Sequence, residues 1–246
     1  MKKYYVIMTA MLFVLPLSIG LISCGGDSDE DEDIDTTPIT LTAGKDKIIA
    51  GADTITSSNE FVAYATKNKV HGWHVGETSL LVNGKKTISI KVQPQYTLYN
   101  DPVCEWGCSI DYVKNNQAQG SINSKSTNEL LAYDNAGGAT LLAYSFKNGE
   151  LDAIMAVVST NHTSILGDYL AERFLMIPLY SGKDTYFAGM DGMDENHAKT
   201  LVLMDLYDTS NWLVYYTKYK KSSTRSDDND TVQKELYEKI ISLLTE

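Results

Sequence analysis

The dipeptide Asn83-Gly84 separates two short runs of alternating residues, and this hairpin constrains the fold more than any other feature of the chain. In Thr87–Val92, the residues Ile88, Ile90 and Val92 point one way while Ser89 and Lys91 point the other, the two-residue period of a half-buried strand. Asn and Gly tolerate positive φ at both central positions, which favours a type I′ turn. Leu80-Leu81-Val82 enters the turn, and Pro94 ends the return strand because proline cannot donate to a ladder. Asn148-Gly149 gives the same signal between Thr140–Phe146 and Leu151–Val158. The chain is therefore expected to build antiparallel sheets from local hairpins, with helical spacing confined to a few segments.

Composition sets the outer limits. The 246 residues are 43% hydrophobic and 22% charged, ordinary values for a folded chain, so disorder throughout and a coiled coil are both excluded. The net charge is −11, and the longest basic cluster is Lys218–Lys221, which excludes nucleic acid as a partner. Three Cys are too few for a disulfide-stapled scaffold. Sixteen Tyr against five Phe is the one unusual ratio.

The N-terminus reads as an address. Lys2 and Lys3 precede an apolar run from Tyr4 to Ile22, broken by Pro16 and followed by Leu21-Ile22-Ser23-Cys24. The run is long enough for an uncleaved membrane anchor, but the basic start, short apolar core and small residues before a break are the grammar of a signal peptide over residues 1–23. Leu-Ile-Ser-Cys resembles a bacterial lipobox, which implies cleavage before Cys24 and lipid attachment there. Residues 24–37 form an acidic tether: Asp27, Asp29, Glu30, Asp31, Glu32, Asp33 and Asp35 repel one another and stay extended. An acidic block behind the lipidated Cys resembles the surface-export signal of outer-membrane lipoproteins in gut-type Gram-negative bacteria. The resemblance implies a lipid-anchored protein on the outer face of the outer membrane, with a periplasm-facing orientation as the alternative.

Residues 38–96 read as a small β domain. Ile39–Thr42, Lys47–Ala50, Thr54–Thr56 and Phe61–Thr66 are strand candidates beside the hairpin. Ser57-Ser58-Asn59 with Phe61-Val62-Ala63, then Lys69-Val70-His71-Gly72, Val75-Gly76-Glu77-Thr78 and Ile88–Val92 resemble a group 2 bacterial immunoglobulin-like domain. That family implies an all-β sandwich acting as a spacer or adhesion module. Trp73 comes later than the Trp-Ser of the family's central strand. His71 and His74 have zinc-compatible chemistry, but residues three apart on a strand face opposite sides, so a turn beside the core is expected and no metal site is assigned.

Residues 97–220 read as an α+β domain. Ser109 caps a predicted helix over Ile110–Gln117, and strands are predicted at Glu129–Tyr133, Thr140–Phe146 and Leu151–Val158. The pattern restarts with a predicted helix from His162 to Ile177, stopped by Pro178, and strands at Thr185–Ala188, Lys199–Tyr207 and Trp212–Tyr219. The expected order is α-β-β-β twice: one antiparallel sheet with both helices on one face. Element order, and Trp106-Gly107-Cys108-Ser109 opening a helix, resemble the duplicated helix-plus-meander architecture of β-lactamase inhibitor proteins and outer-membrane assembly lipoproteins. The resemblance concerns architecture alone.

Candidate sites are few. Cys104 and Cys108 suggest a disulfide in an oxidising compartment, with free thiols as the alternative. Asp191–Glu195 is acidic but lacks calcium-hand spacing and reads as a solvated turn. No nucleophile elbow, zinc-protease or phosphate-loop motif occurs, and no cofactor is implied. Trp212, Tyr215, Tyr216 and Tyr219 lie on one predicted strand and are the candidate ligand contacts, if one sheet face stays open. Covering of both faces is the alternative. Residues 221–246 read as a polar linker followed by an amphipathic helix with Val232, Leu236, Ile240, Leu243 and Leu244 on one side. The combined expectation is a non-catalytic, lipid-anchored envelope protein that binds a glycan or an envelope protein, or acts structurally. A carboxylate-dependent hydrolase of surface polymers and a proteinaceous inhibitor or assembly factor are the alternatives.

Overall fold

The computed structural model describes residues 34–181, 184–207 and 209–220. The expected signal peptide, Cys24, most of the acidic tether and the C-terminal helix lie outside the described residues. The chain is β-rich: fifteen strands and two α-helices are described.

Seven strands come first: β1 (Ile39–Thr42), β2 (Asp46–Ile48), β3 (Ile55–Ser57), β4 (Ala63–Thr66), β5 (Lys69–Gly72), β6 (Gly76–Val82) and β7 (Lys86–Gln93). They form a four-stranded sheet in the order β1-β7-β6-β3 and a three-stranded sheet in the order β2-β5-β4. β1 runs parallel to β7, and the other pairings are antiparallel. The β6–β7 hairpin turns at Asn83 and Gly84, with φ of 50° and 67°, as the dipeptide requires. Ile88, Ile90 and Val92 are buried while Ser89 and Lys91 face water, so the register follows from the alternation. Both sheets contribute to one core, in which Leu41, Ala63, Val70, Leu80 and Ile88 are buried together.

The rest of the chain opens with α1 (Ile110–Asn116), whose cap Ser109 accepts the backbone N–H of Tyr112. Four strands follow: β8 (Ser121–Ile122), β9 (Leu130–Ala136), β10 (Ala139–Lys147) and β11 (Glu150–Ser159). A 3-10 turn at Thr160–His162 then leads into α2 (Thr163–Ala171), followed by β12 (Leu175–Ser181), β13 (Asp184–Met190), β14 (Thr200–Leu206) and β15 (Asn211–Lys218). All eight strands make one antiparallel sheet in the order β12-β13-β14-β15-β11-β10-β9-β8. Each half is a four-stranded meander, and the two join where β11 pairs with β15, Ala156 opposite Val214.

Two expectations are corrected here. Each half has four strands rather than three, because Ser121–Ile122 pairs with β9 in the stretch between α1 and that strand, and Leu175–Ser181 pairs with β13. The second helix ends at Ala171, six residues before its predicted stop. Phe174 and Ile177 continue the apolar spacing, but the chain has already turned into β12. Both helices do lie on one side of the sheet: Val113, Leu166, Tyr169 and Leu170 share a core with Tyr144, Ile154, Val214 and Tyr216. A separate core occupies the other side, with Ala143, Met155, Leu213 and Tyr215.

Candidate aromatic site on the three-stranded sheet

On the strand read for ligand contact, Tyr215 and Tyr216 are buried, and Trp212 and Tyr219 are partly exposed. Tyr216 is fully buried, and its hydroxyl shares a 2.6 Å hydrogen bond with that of Tyr99. Tyr215 is 4% exposed in the opposite core. Trp212 packs beside the helices, and its Nε1–H donates to Thr163 Oγ1 at 2.8 Å. The alternation along β15 was sound, but both faces of the sheet are covered there, so Tyr215 and Tyr216 are packing residues. Tyr219 lies just past β15 and is partly exposed.

The buried tyrosines form a polar network inside the helix-side core. Tyr169 donates to Asp101 Oδ1, which also pairs with Arg173 Nε, and the Arg173 guanidinium lies 3.8 Å from the Tyr169 ring centroid. Tyr144 donates to Gln117 Oε1 and accepts the N–H of Val103. Burial pushes the hydroxyls of Tyr99, Tyr144, Tyr169 and Tyr216 well above the ordinary phenol range, and that of Tyr215 up to about 12. Phenols held protonated across the physiological range are positioned donors rather than proton shuttles.

Cys104 and Cys108 are not bonded to each other in the structure. Cys108 is held in a turn, its N–H on Glu105 O and its carbonyl accepting the N–H of Leu151, and both side chains are partly buried against the helix-side core. Burial raises both thiol pKa values. The acidic loop closes on itself: Asp191 Oδ1 accepts the N–H groups of Lys199 and Thr200, and Asp194 Oδ1 accepts that of Asn196. Among the described residues, no group of three or more metal-binding side chains converges.

The outward aromatic surface lies elsewhere, on the three-stranded sheet. Register places Asp46, His71 and Tyr64 in one row across β2, β5 and β4. Val70 and Ala63 alternate with them and fill the core, so the row must face outward. Asp46 accepts from His71 Nδ1 at 2.6 Å and from Lys69 Nζ at 2.8 Å, which holds its carboxyl below the usual range. The Tyr64 ring leans on His71 at 5.0 Å and meets Trp73 edge-on at 5.9 Å. Trp73 in turn contacts Phe61 and His74. Tyr64 stays 39% exposed and Ile48, on the same face, 65% exposed. The sequence reading passed over Tyr64 because the row is assembled by strand register, although His71-Gly72-Trp73-His74 marked one strand of it.

His74 belongs to the inside of this arrangement. It is 1% exposed, stacks parallel on Phe61 at 3.9 Å, and its Nδ1 bonds the Phe61 carbonyl at 2.8 Å. A further hydrogen bond ties its ring to the Phe174 backbone, and burial lowers its pKa. Val75 N–H donates to the Glu172 carbonyl, and the Glu172 carboxylate accepts the N–H groups of Gln95 and Tyr96. These bonds fix the end of α2 against the seven-stranded part.

Comparison with known proteins returned no matching family model, no matching curated protein and no matching solved structure.

Proposed function

We propose that this is a non-catalytic, lipid-anchored envelope protein that binds a glycan through the Tyr64–His71–Trp73 face. The Leu-Ile-Ser-Cys24 stretch and the acidic segment behind it support the anchor and an outer-membrane location facing outward. Residues 38–96 are read as an immunoglobulin-like module and residues 97–220 as an α+β module built on a duplicated helix and meander.

One observation carries the binding reading. Two aromatic rings stand on an outward sheet face, held edge-on to one another beside an Asp46 carboxylate that already has two fixed donors. Sugar rings offer C–H faces that pack on aromatic surface, and their hydroxyls exchange hydrogen bonds with a pre-set carboxylate and amine. The carboxylate-dependent hydrolysis of a glycan commonly uses two facing carboxylates. Three surface clefts each have a single carboxylate, Asp35, Asp205 or Glu77, among their described lining residues.

The test is a glycan array probed with residues 25–246, followed by titration of any hit. Saturable binding that falls at least tenfold in both Trp73→Ala and Tyr64→Ala, with melting temperatures near that of the parent, supports the reading. Binding unaffected by either substitution, or no saturable binding, overturns it. In the second case, cross-linking on intact cells would look for an envelope protein as the partner.

A further inference from the structure

Charge on the three-stranded sheet runs against the trend of the chain. The protein has 32 acidic residues against 21 Lys and Arg. In β2, β4, β5 and the turns at Gly44-Lys45 and Lys67-Asn68 the balance reverses: Lys45, Lys47, Lys67 and Lys69 stand against Asp46 alone. All five residues are exposed. Strand pairing gathers them on one small sheet. The Lys45 carbonyl accepts the N–H of Gly72, one residue before Trp73, so this lysine stands at the aromatic end. Lys67, with φ of 56°, turns the chain from β4 into β5 at the opposite end, beside the Thr66–Lys69 pair. Lys47 lines a cleft together with Asp35, and its charge acts on that carboxyl. Among the described residues, neither Lys45 nor Lys67 is in an ion pair.

We infer that the sugar taken by the Tyr64–His71–Trp73 face is an anionic one, whose carboxylate or sulfate is received by Lys69; this rests on the glycan reading above. Lys69 shares the outward side of β5 with His71, and Asp46 Oδ2 holds its ammonium at 2.8 Å. An ammonium has three donors, and the side chain is 48% exposed, so donors remain open to a ligand. The same contact meets the charge of Asp46, whose other oxygen bonds His71 Nδ1, so this carboxylate does not stand as a bare repulsive charge. Lys69 is also the diagonal neighbour of Tyr64 across the β4–β5 pair, a separation that long side chains bridge. A sugar ring packed on Tyr64 thus brings an acidic substituent within reach of Lys69. Lys45 and Lys67 act differently. Each is a point charge on a flexible stem and attracts an anion without a fixed direction. The four residues of β5 separate their positions by about 13 Å, so a ligand between them lies within about one Debye length of each, about 8 Å at physiological salt. The net charge of −11 repels an acidic glycan elsewhere on the chain, whereas this face attracts it.

Matched glycans separate charge from sugar. Residues 25–246 are applied to an array that displays oligogalacturonates beside their methyl esters, and sulfated galactose oligomers beside the unsulfated chains, and the hits are titrated by calorimetry. The expected result is that at least one charged member binds tenfold or more tighter than its neutral partner in 50 mM salt, and weakens at least threefold in 200 mM. The pair that responds tells carboxylate from sulfate. Lys69→Gln should lower the preference for the charged member at least fivefold, with the melting temperature near that of the parent. Lys45→Gln/Lys67→Gln should chiefly reduce the salt dependence. Neutral members that bind as tightly as charged ones, and lose binding in Trp73→Ala and Tyr64→Ala, leave the sugar-binding reading standing and overturn this inference. Charged binding unchanged in Trp73→Ala and Tyr64→Ala overturns both, because ion attraction alone then accounts for it. Binding to no member overturns both as well.

Discussion

The hydroxyls of Tyr99 and Tyr216 meet at 2.6 Å in the middle of the helix-side core, one from the connecting segment and one from the central strand β15. Each is the other's partner, so removing one oxygen strands the second. Tyr216→Phe should cost about 1–3 kcal/mol. At this size, that lowers the melting temperature by several degrees. Tyr99→Phe should cost a similar amount, and the double variant less than the sum of the two. A double-mutant cycle by thermal or denaturant unfolding measures the coupling. Strict additivity would show that the two hydroxyls do not depend on one another.

Tyr133 provides the contrast. It is 4% exposed and its hydroxyl has no hydrogen-bond partner, although its ring meets Tyr144 edge-on. Tyr133→Phe therefore removes a buried oxygen that nothing satisfies and keeps the ring packing. The variant should match the parent or gain up to about 1 kcal/mol in urea unfolding. A loss comparable to that of Tyr216→Phe would mean that the oxygen has a bound partner.

Glu172 holds two parts of the chain together through both its main chain and its side chain. Its carboxylate accepts two consecutive N–H groups at Gln95 and Tyr96, and its carbonyl accepts Val75 N–H. Glu172→Ala leaves the two amides to water and should cost about 1–3 kcal/mol. Limited proteolysis should show faster cleavage near residues 94–100, and Glu172→Gln, which keeps one acceptor oxygen, should fall between parent and Ala. Equal cleavage rates in all three would show that the carboxylate does not restrain the segment.

How much of this was legible in the sequence depended on how local each determinant is. Asn83-Gly84 and Asn148-Gly149 announced their hairpins because positive φ is a property of the two residues themselves. Ser109 announced α1 because a cap acts across three residues. The end of α2 was hidden, since Phe174 and Ile177 keep helical spacing while the chain is already turned by Glu172, whose partners lie in Gln95, Tyr96 and Val75. The Asp46–His71–Tyr64 row was hidden because it is created by pairing between strands, with Asp46 25 residues away from His71. Along β15 the alternation was readable, but whether a face is covered depends on other elements.

The buried His74 ties stability to pH. Burial depresses its pKa, so the folded chain holds it neutral near pH 7, while the unfolded chain takes up a proton at about 6.5. The unfolded state therefore binds more protons in the window just below that value, and stability falls as pH drops from about 6.5 toward the folded pKa. Asp46, Glu77 and Asp194, whose folded pKa values are lowered by exposed hydrogen-bond partners, act only at lower pH, near and below their unfolded values of about 4. Unfolding midpoints measured between pH 7.5 and 5 should decline in the parent and be flatter in His74→Gln, whatever the offset between the two. Parallel slopes would show that His74 does not titrate with unfolding.

The state of Cys104 and Cys108 decides between a constrained loop and two inert thiols. Burial raises both pKa values, with nearby carboxylates adding to the effect. At pH 8 both should then be protonated, and alkylation follows the thiolate. Residues 25–246, which contain only these two cysteines, should react with iodoacetamide at least tenfold more slowly than glutathione while folded. On unfolding in guanidinium without reductant, two equivalents should be taken up if both are free thiols in the isolated protein. Uptake of two equivalents only after reductant, with a mass two units lower beforehand, would establish a disulfide instead.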